Sequence, residues 1–590
     1  MAAGQETQVG HGAGALAPAR QARGARPLRA RRRADWTLAV PPAVTLIVML
    51  WGMATPSYWR DESATLAATD RSIPQLLRLL GRVDAVHGLY YLILWPVVHF
   101  VGTREFETRL PSAIAMAAAA LGIAAIGRRL RSRRAGLYAG LVFAAMPLVT
   151  LQGHDARPYA LETAAAVLAT YLLLRAAEKP AASRFAAYGL SMVLLGYMHP
   201  FGLLIIPAHA LALIPAARLA RARRGAGADG AGEADPCRAG DVDVAGLMVR
   251  WLASGAFAGV LLAPLLWLSW REQWAIDWLP PPTGHDLSAL AASFAADTLA
   301  SAPVFAALIA AGTVRADWPD RALRPGWWRR PVQAVRTAAA VAPWAGRGER
   351  ALTWVTVPWL LFPPAVLLIA AEFKPVYELM YLEYCLPPAA LLAGAGLAAL
   401  GRPLRLAALG LVVALGLPAQ FHLRTPLAGG YIRSTAQFLA QHERPGDAVY
   451  YPSFRGGVPT WNITYPDGFA GLRVIQQDET AAQAGRLVGT SLPLPVIEQR
   501  LKSVRRLWIV DMSQRWENPP FSLGPDFRQA LSWHHNQMWI RLYVRVRPSA
   551  SPRARHATGS VRRLVTTAVR LAFLISAPAC RQPAGRYRVS

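Results

Sequence analysis

The stretch 36-WTLAVPPAVTLIVMLWGMATPSYWRDES-63 decides how this chain is read. Trp36 to Thr55 carries no charge, and a run of about 20 apolar residues spans a bilayer core. Arg60-Asp61-Glu62-Ser63 then stands at the far mouth of that run, at the start of a long loop. Carboxylates at such a boundary are costly unless solvated, paired with cations or used in chemistry. The plain alternative is a solvated loop start that merely ends the helix.

Outward from that stretch the pattern repeats. The chain has 590 residues, 54% of them hydrophobic and only 17% charged. Recurring long apolar runs mark a polytopic membrane protein rather than a secreted one with a signal peptide. The net charge of +28 is almost all arginine, since Lys179, Lys374 and Lys502 are the only lysines. The arginines cluster in short loops between apolar runs, where the positive-inside rule accounts for them better than nucleic acid does. Cys237, Cys385 and Cys580 lie far apart and form neither a disulfide framework nor a zinc spacing.

Eleven spans are expected, at about 36–57, 109–127, 135–151, 159–176, 185–198, 201–217, 248–270, 287–312, 351–371, 381–400 and 406–422. Residues 58–108 form the first outer loop. Within it His87 to Gly102 is apolar but reaches only roughly 24 Å as a helix, short of the ~30 Å core. It reads as a re-entrant or interfacial helix. The run Arg128-Arg129-Leu130-Arg131-Ser132-Arg133-Arg134 marks a cytoplasmic turn. Residues 1–35 read as a disordered, Arg-rich cytoplasmic tail, 36–422 as the membrane domain, 423–545 as a small outer α/β domain, and 546–590 as a basic, disordered tail. Strands are expected at 448–451, 507–510 and 539–544.

By this topology four polar groups share the outer face: Asp61-Glu62, Asp84 with His87, His154-Asp155 with Arg157, and His199. Each alone is weak; their convergence from four parts of the chain points to a site. The chemistry such a set can run is group transfer at a membrane surface. A carboxylate deprotonates an acceptor hydroxyl as general base. A leaving phosphate needs positive charge, for which Arg109 and Arg157 are the candidates. Asp155, His87 and His199 are the candidates for holding a divalent ion, although no tight ligand spacing is present.

The motifs have a familiar order. Trp59-Arg60-Asp61-Glu62-Ser63 resembles the acidic motif in the first outer loop of the GT-C superfamily of polyprenyl-phosphate-sugar-dependent glycosyltransferases. The branch is that of the protein O-mannosyltransferases and bacterial aminoarabinose transferases, of glycosyltransferase family 39 type. Asp84-Ala85-Val86-His87-Gly88-Leu89-Tyr90-Tyr91 is similar to its D-x-H-P-P-L-Y-Y element, with Gly88 where proline is usual. Phe106-Glu107-Thr108-Arg109-Leu110-Pro111-Ser112 resembles E-x-x-x-R-L-P-S, and His154-Asp155-Ala156-Arg157-Pro158-Tyr159-Ala160-Leu161 resembles Q-E-A-R-P-Y-A-L. Gly196 to Gly202 resembles a Y-T-H-Y-F-G element.

The resemblance implies an all-α polytopic membrane protein of GT-C type with about eleven transmembrane helices and a small extracytoplasmic α/β domain. It implies an inverting transfer of a sugar, mannose foremost, from a polyprenyl-phosphate donor to a hydroxyl of a protein, lipid or glycan acceptor, at the extracytoplasmic face of the cell membrane. Asp61 would be the catalytic base with Glu62 supporting it. Asp84, His87, Tyr90, Arg109, Asp155, Arg157 and Tyr159 would line the substrate site. A divalent metal ion, held by His199 with Asp155, is the one cofactor considered. One departure stands out: Glu383, in Glu383-Tyr384-Cys385-Leu386-Pro387, replaces the arginine that relatives aim at the donor phosphate. Either Lys374 supplies that charge, or the donor is bound differently, or activity is weakened. The rivals are a non-catalytic envelope scaffold and a lipid or sugar transporter. A transporter needs polar residues near span centres or broken helices in paired halves.

Overall fold

The computed structural model describes residues 35–213, 244–277, 279–295, 301–313, 349–426, 428–453, 457–513, 516–535 and 537–546. The expected tails at 1–34 and 547–590, and most of the basic loops 218–247 and 315–350, lie outside the described residues.

The chain is mostly helical. Six helices among the described residues are long and apolar enough to cross a membrane: Glu105–Leu130, Tyr159–Glu178, Ala245–Arg271, Ala351–Ala371, Leu379–Ala399 and Arg402–His422. The pair Arg133–Ala145 and Pro147–Gly153 makes a seventh span if counted as one, bent by 68°. Pro147 sits at the first position of the second helix and has no N–H to continue the first. The other expected spans are the shorter helices Trp36–Leu50, Ala182–Met198, Pro200–Leu213 and Ala302–Thr313.

Two expectations are corrected here. The first span ends at Leu50, not near residue 57. Gly52 then turns the chain at φ +68, and a Cβ there would meet Arg424 Cγ at 3.0 Å. The span read as 287–312 is two helices, Gly284–Ser293 and Ala302–Thr313. The segment 58–108 carries the helix expected at 87–102, as Gly88–Phe100, and two more that were not expected, Arg60–Thr69 and Ile73–Leu80, all packed through Ala68, Leu76, Leu79, Tyr91 and Leu94.

Small residues let the membrane helices approach closely. Leu386–Ala399 is buried along nearly its whole length. At Gly396 a Cβ would stand 2.0 Å from the Leu308 carbonyl oxygen, so only glycine fits.

Outside this bundle, strands run in the order Arg473–Val474, Ala448–Tyr450, Arg506–Met512, Met538–Arg545, Phe527–His535. The first three are parallel and the last two antiparallel. Arg506–Met512 is buried on both faces. Trp508 and Val510 pack toward the helix Ile432–His442, and Leu507 and Ile509 toward Leu494–Leu501.

This sheet domain grips the segment that carries the acidic motif. The Tyr465 hydroxyl donates to Glu105 Oε1 at 2.6 Å and accepts the Tyr58 backbone N–H at 2.9 Å. Arg433 donates to the carbonyls of Thr55 (2.8 Å), Ala54 (3.1 Å) and Pro56 (3.2 Å), and to Glu105 at 2.5 Å. Residues 54–58 lead directly into Asp61 and Glu62, so the sheet domain fixes their approach. Tyr465→Phe should loosen that approach by about 1–3 kcal/mol, the cost of leaving half-buried polar groups unpaired. Hydrogen exchange of the Tyr58 to Ser63 amides reads it; unchanged protection would show that the clamp is idle.

Candidate active site

Asp61 and Glu62 are neighbours in sequence with opposite surroundings. Both lie in the first turn of Arg60–Thr69, where a helix N-terminus favours negative charge. Glu62 points inward and is 1% exposed. Its carboxylate takes a two-pronged bond from Arg109, Nε to Oε1 at 2.8 Å and Nη2 to Oε2 at 2.7 Å. It also accepts the backbone N–H of Ala156 at 2.9 Å. Asp61 has a side chain 27% exposed and 3.9 Å from Arg157 Nη2. Its other oxygen is 3.5 Å from Arg60 Nε. Asp61 is therefore the acid with room to accept a proton, and Glu62 is held in place.

Arg109 does not fit the phosphate-binding role proposed from sequence. Its remaining N–H groups donate to the carbonyls of Met53, Pro56 and Ser57, at 2.9, 2.9 and 3.2 Å. With Glu62 these occupy all five donors of the guanidinium. Arg109 is the rivet that joins the helix Glu105–Leu130 to the turn after the first span.

Arg157 is the cation with capacity left. It is 6% exposed and donates to Thr65 Oγ1 at 3.3 Å and to His87 Nε2 at 3.1 Å, while its Nε has no hydrogen-bond partner. Because His87 Nε2 accepts from Arg157, the ring proton sits on Nδ1 and donates to Asp84 Oδ1 at 2.6 Å. Tyr91 donates its hydroxyl to the other Asp84 oxygen. Burial alone would raise the Asp84 carboxyl, but His87, with its hydrogen bond, and Arg157 hold it well below the usual carboxylate range. Asp84 has φ +67, the one non-glycine residue among those described in the left-handed region. Glu272, from the far end of Val244–Arg271, accepts the Ala85 backbone N–H at 3.0 Å and helps hold that turn.

Asp155 is 7% exposed and accepts the indole N–H of Trp59 at 2.9 Å. Burial and the nearby Glu62 carboxylate push its carboxyl well above the ordinary range, against the Trp59 bond and the charge of Arg157. Tyr90 and Tyr159 are buried. The Tyr159 ring lies 5.9 Å from that of His199. His199 stacks on Tyr381 at 4.9 Å, and its Nδ1 is 3.9 Å from Glu162 Oε1.

The structure thus brings Asp61, Glu62, Asp84, His87, Arg109, Asp155, Arg157, Tyr159 and His199 into one connected region. It does not bring in Lys374, whose ammonium donates to Gln273 at 3.1 Å and pairs with Asp277 at 3.1 Å. His199 and Asp155 have different contacts, and among the described residues no group of three or more His, Cys, Asp or Glu is placed to hold a metal ion. Sequence reasoning missed Trp59, Thr65, Glu162, Glu272 and Tyr381. Glu162 had a signal, a carboxylate one turn into an apolar run; Glu272 had none.

Residues 89–224 match the family model described as dolichyl-phosphate-mannose-protein mannosyltransferase. The match spans the Asp155–Arg157 motif and His199. ArnT from Cupriavidus metallidurans in the apo state has a TM-score of 0.51 at 13% identity, over 86% of this chain and 98% of that one. The same protein bound to undecaprenyl phosphate gives 0.49 at 13% identity, over the same shares. The apo oligosaccharyltransferase of Archaeoglobus fulgidus gives 0.40 at 10% identity, over 81% of this chain and 70% of that one. No curated protein matches significantly. At 13% identity the ArnT likeness is one of fold, and the fold is of GT-C type. The matched family and these neighbours are glycosyltransferases.

Proposed function

We propose that this chain is an inverting membrane glycosyltransferase that moves a sugar, mannose foremost, from a polyprenyl-phosphate donor to an acceptor hydroxyl at the extracytoplasmic face. The observation that carries the reading is the contrast between the two adjacent acids: Glu62 riveted by Arg109, Asp61 open and 3.9 Å from an incompletely bonded Arg157. In this reaction Asp61 removes the proton of the acceptor hydroxyl. The freed oxygen lone pair forms the new bond to the anomeric carbon from the face opposite the phosphate. The bond from that carbon to the phosphate oxygen breaks, and its electron pair leaves on polyprenyl phosphate. Arg157 meets the charge that develops there, in a site from which water is largely excluded. His87 and Asp84 hold the guanidinium in position through the bonds described above.

The donor class is supported by the family description, which names a polyprenyl-phosphate mannose, and by an apolar bundle able to hold a polyprenyl chain. The acceptor is a hydroxyl of a protein, lipid or glycan, reached from the side where the sheet domain sits over the site. The test is transfer of labelled mannose from polyprenyl-phosphate mannose in membranes containing the chain. Label should appear in an acceptor fraction. A folded chain that transfers none of the sugars offered on polyprenyl phosphate would overturn the reading.

A further inference from the structure

Beside Arg157 the interior holds polar atoms that the mechanism above does not use. Glu162 is 0% exposed and neither of its carboxyl oxygens has a hydrogen-bond partner. Glu383 is 2% exposed; one oxygen accepts the Gln152 side-chain N–H and the other accepts nothing. Gln152 Oε1 and His199 Nδ1 are likewise buried and without a hydrogen-bond partner. His199 Nδ1 stands 3.9 Å from Glu162 Oε1, and its ring stacks at 4.9 Å on Tyr381, which shares the short helix Leu379–Cys385 with Glu383. The His199 ring is 6.2 Å from that of His87, which holds Arg157. The cluster therefore adjoins the proposed phosphate position. Buried polar groups are as a rule satisfied, and a set of unsatisfied ones in a single neighbourhood calls for an explanation.

Four of these five atoms are carboxyl or amide oxygens, able to accept hydrogen bonds. Neither Arg109 nor Lys374 can serve the cluster, since both are bonded elsewhere. A ligand that completes such a set must bring several donors and no negative charge. Sugar hydroxyls do this; a sugar carboxylate would face two acids, and the nearest cation, Arg157, is the one that meets the donor phosphate. We propose that Glu162, Glu383, Gln152 and His199 form the sugar subsite of the donor, and that the subsite takes a neutral, hydroxyl-rich sugar and rejects a uronic acid. The proposal rests on the glycosyltransferase reading and sets the sugar class that reading leaves open.

The experiment compares polyprenyl-phosphate mannose with polyprenyl-phosphate galacturonate, in transfer and in displacement of a fluorescent polyprenyl phosphate. The intact chain should favour the neutral donor by about 100-fold or more, the scale reached when polar groups in a site are left unpaired by the wrong ligand. Glu162→Gln and Glu383→Gln should each raise KM for the neutral donor about tenfold with a smaller change in kcat, and should narrow the discrimination. Equal use of both donors, or an unchanged KM in both variants, overturns the subsite. Thermal melts of the purified variants separate lost binding from lost fold, and the comparison within the intact chain needs no variant. A chain that binds the neutral donor selectively but transfers neither sugar overturns the transferase reading and leaves the subsite standing. One that binds neither overturns both.

Discussion

Asp61→Asn is expected to reduce sugar transfer about 10²–10⁴-fold, the contribution of a positioned general base. The change keeps the shape of the side chain and removes its ability to take a proton. It should leave the fold intact. The ionic contacts of Asp61 are loose, 3.5 Å to Arg60 and 3.9 Å to Arg157, and its side chain reaches solvent. Pairs of that kind contribute about 0–1 kcal/mol. Donor binding should persist, because Arg157 keeps its bonds to Thr65 and His87. Initial rates with labelled donor, alongside displacement of a fluorescent polyprenyl phosphate, check both halves. Transfer within threefold of the intact chain would remove Asp61 from the chemistry.

Glu62→Gln should behave in the opposite way, with its main effect on stability. The Glu62–Arg109 pair is 1% exposed on both sides. Removing one member of a buried ion pair leaves the other charge uncompensated and costs about 3–5 kcal/mol. Arg109 would remain surrounded by the carbonyls of Met53, Pro56 and Ser57, which soften the loss without cancelling its charge. Glutamine keeps one acceptor oxygen and turns two donors toward a guanidinium that can only donate. Arg109→Met should be as damaging, since it strips partners from three carbonyls and from Glu62 together. Thermal melts of the purified protein in detergent measure both. Melting temperatures within 1–2 °C of the intact chain would show that the rivet is not structural.

The difference between these two acids was not legible in the sequence. Asp61 and Glu62 are adjacent, and the motif resemblance offered Glu62 only as support for Asp61. Side chains 100° apart on a helix turn face different surroundings, and what lies on each side is set by other parts of the chain. Arg109 was misread for the same reason. A motif arginine beside acids reads as a ligand for phosphate until the three carbonyls that cap it are seen. Those carbonyls belong to residues 53–57, and no sequence pattern marks them. Lys374 was offered to replace the arginine missing at Glu383; its own loop ties it to Gln273 and Asp277 instead.

The spans were readable wherever one helix carries the whole apolar run. Glu105–Leu130, Tyr159–Glu178 and Ala351–Ala371 fall close to their expected limits. They failed where the backbone turns inside an apolar run, at Leu50 and Ser293, while at Pro147 the expected span is kept but bent by 68°. Hydropathy sums side chains and does not register a change of direction. Gly88–Phe100 falls within the helix expected at 87–102, whereas Arg60–Thr69 and Ile73–Leu80 were missed because they bury apolar faces against protein rather than against lipid.

By itself the sequence determined that this is a polytopic membrane protein with acids, histidines and an arginine gathered on one side, because hydropathy and charge are local properties that the bilayer reads segment by segment. Which acid stays open, which arginine keeps free donors, and which buried carboxyls are left unsatisfied were decided only by the tertiary structure. Each of those outcomes depends on hydrogen-bond partners tens to hundreds of residues away, and only the folded packing determines whether they arrive.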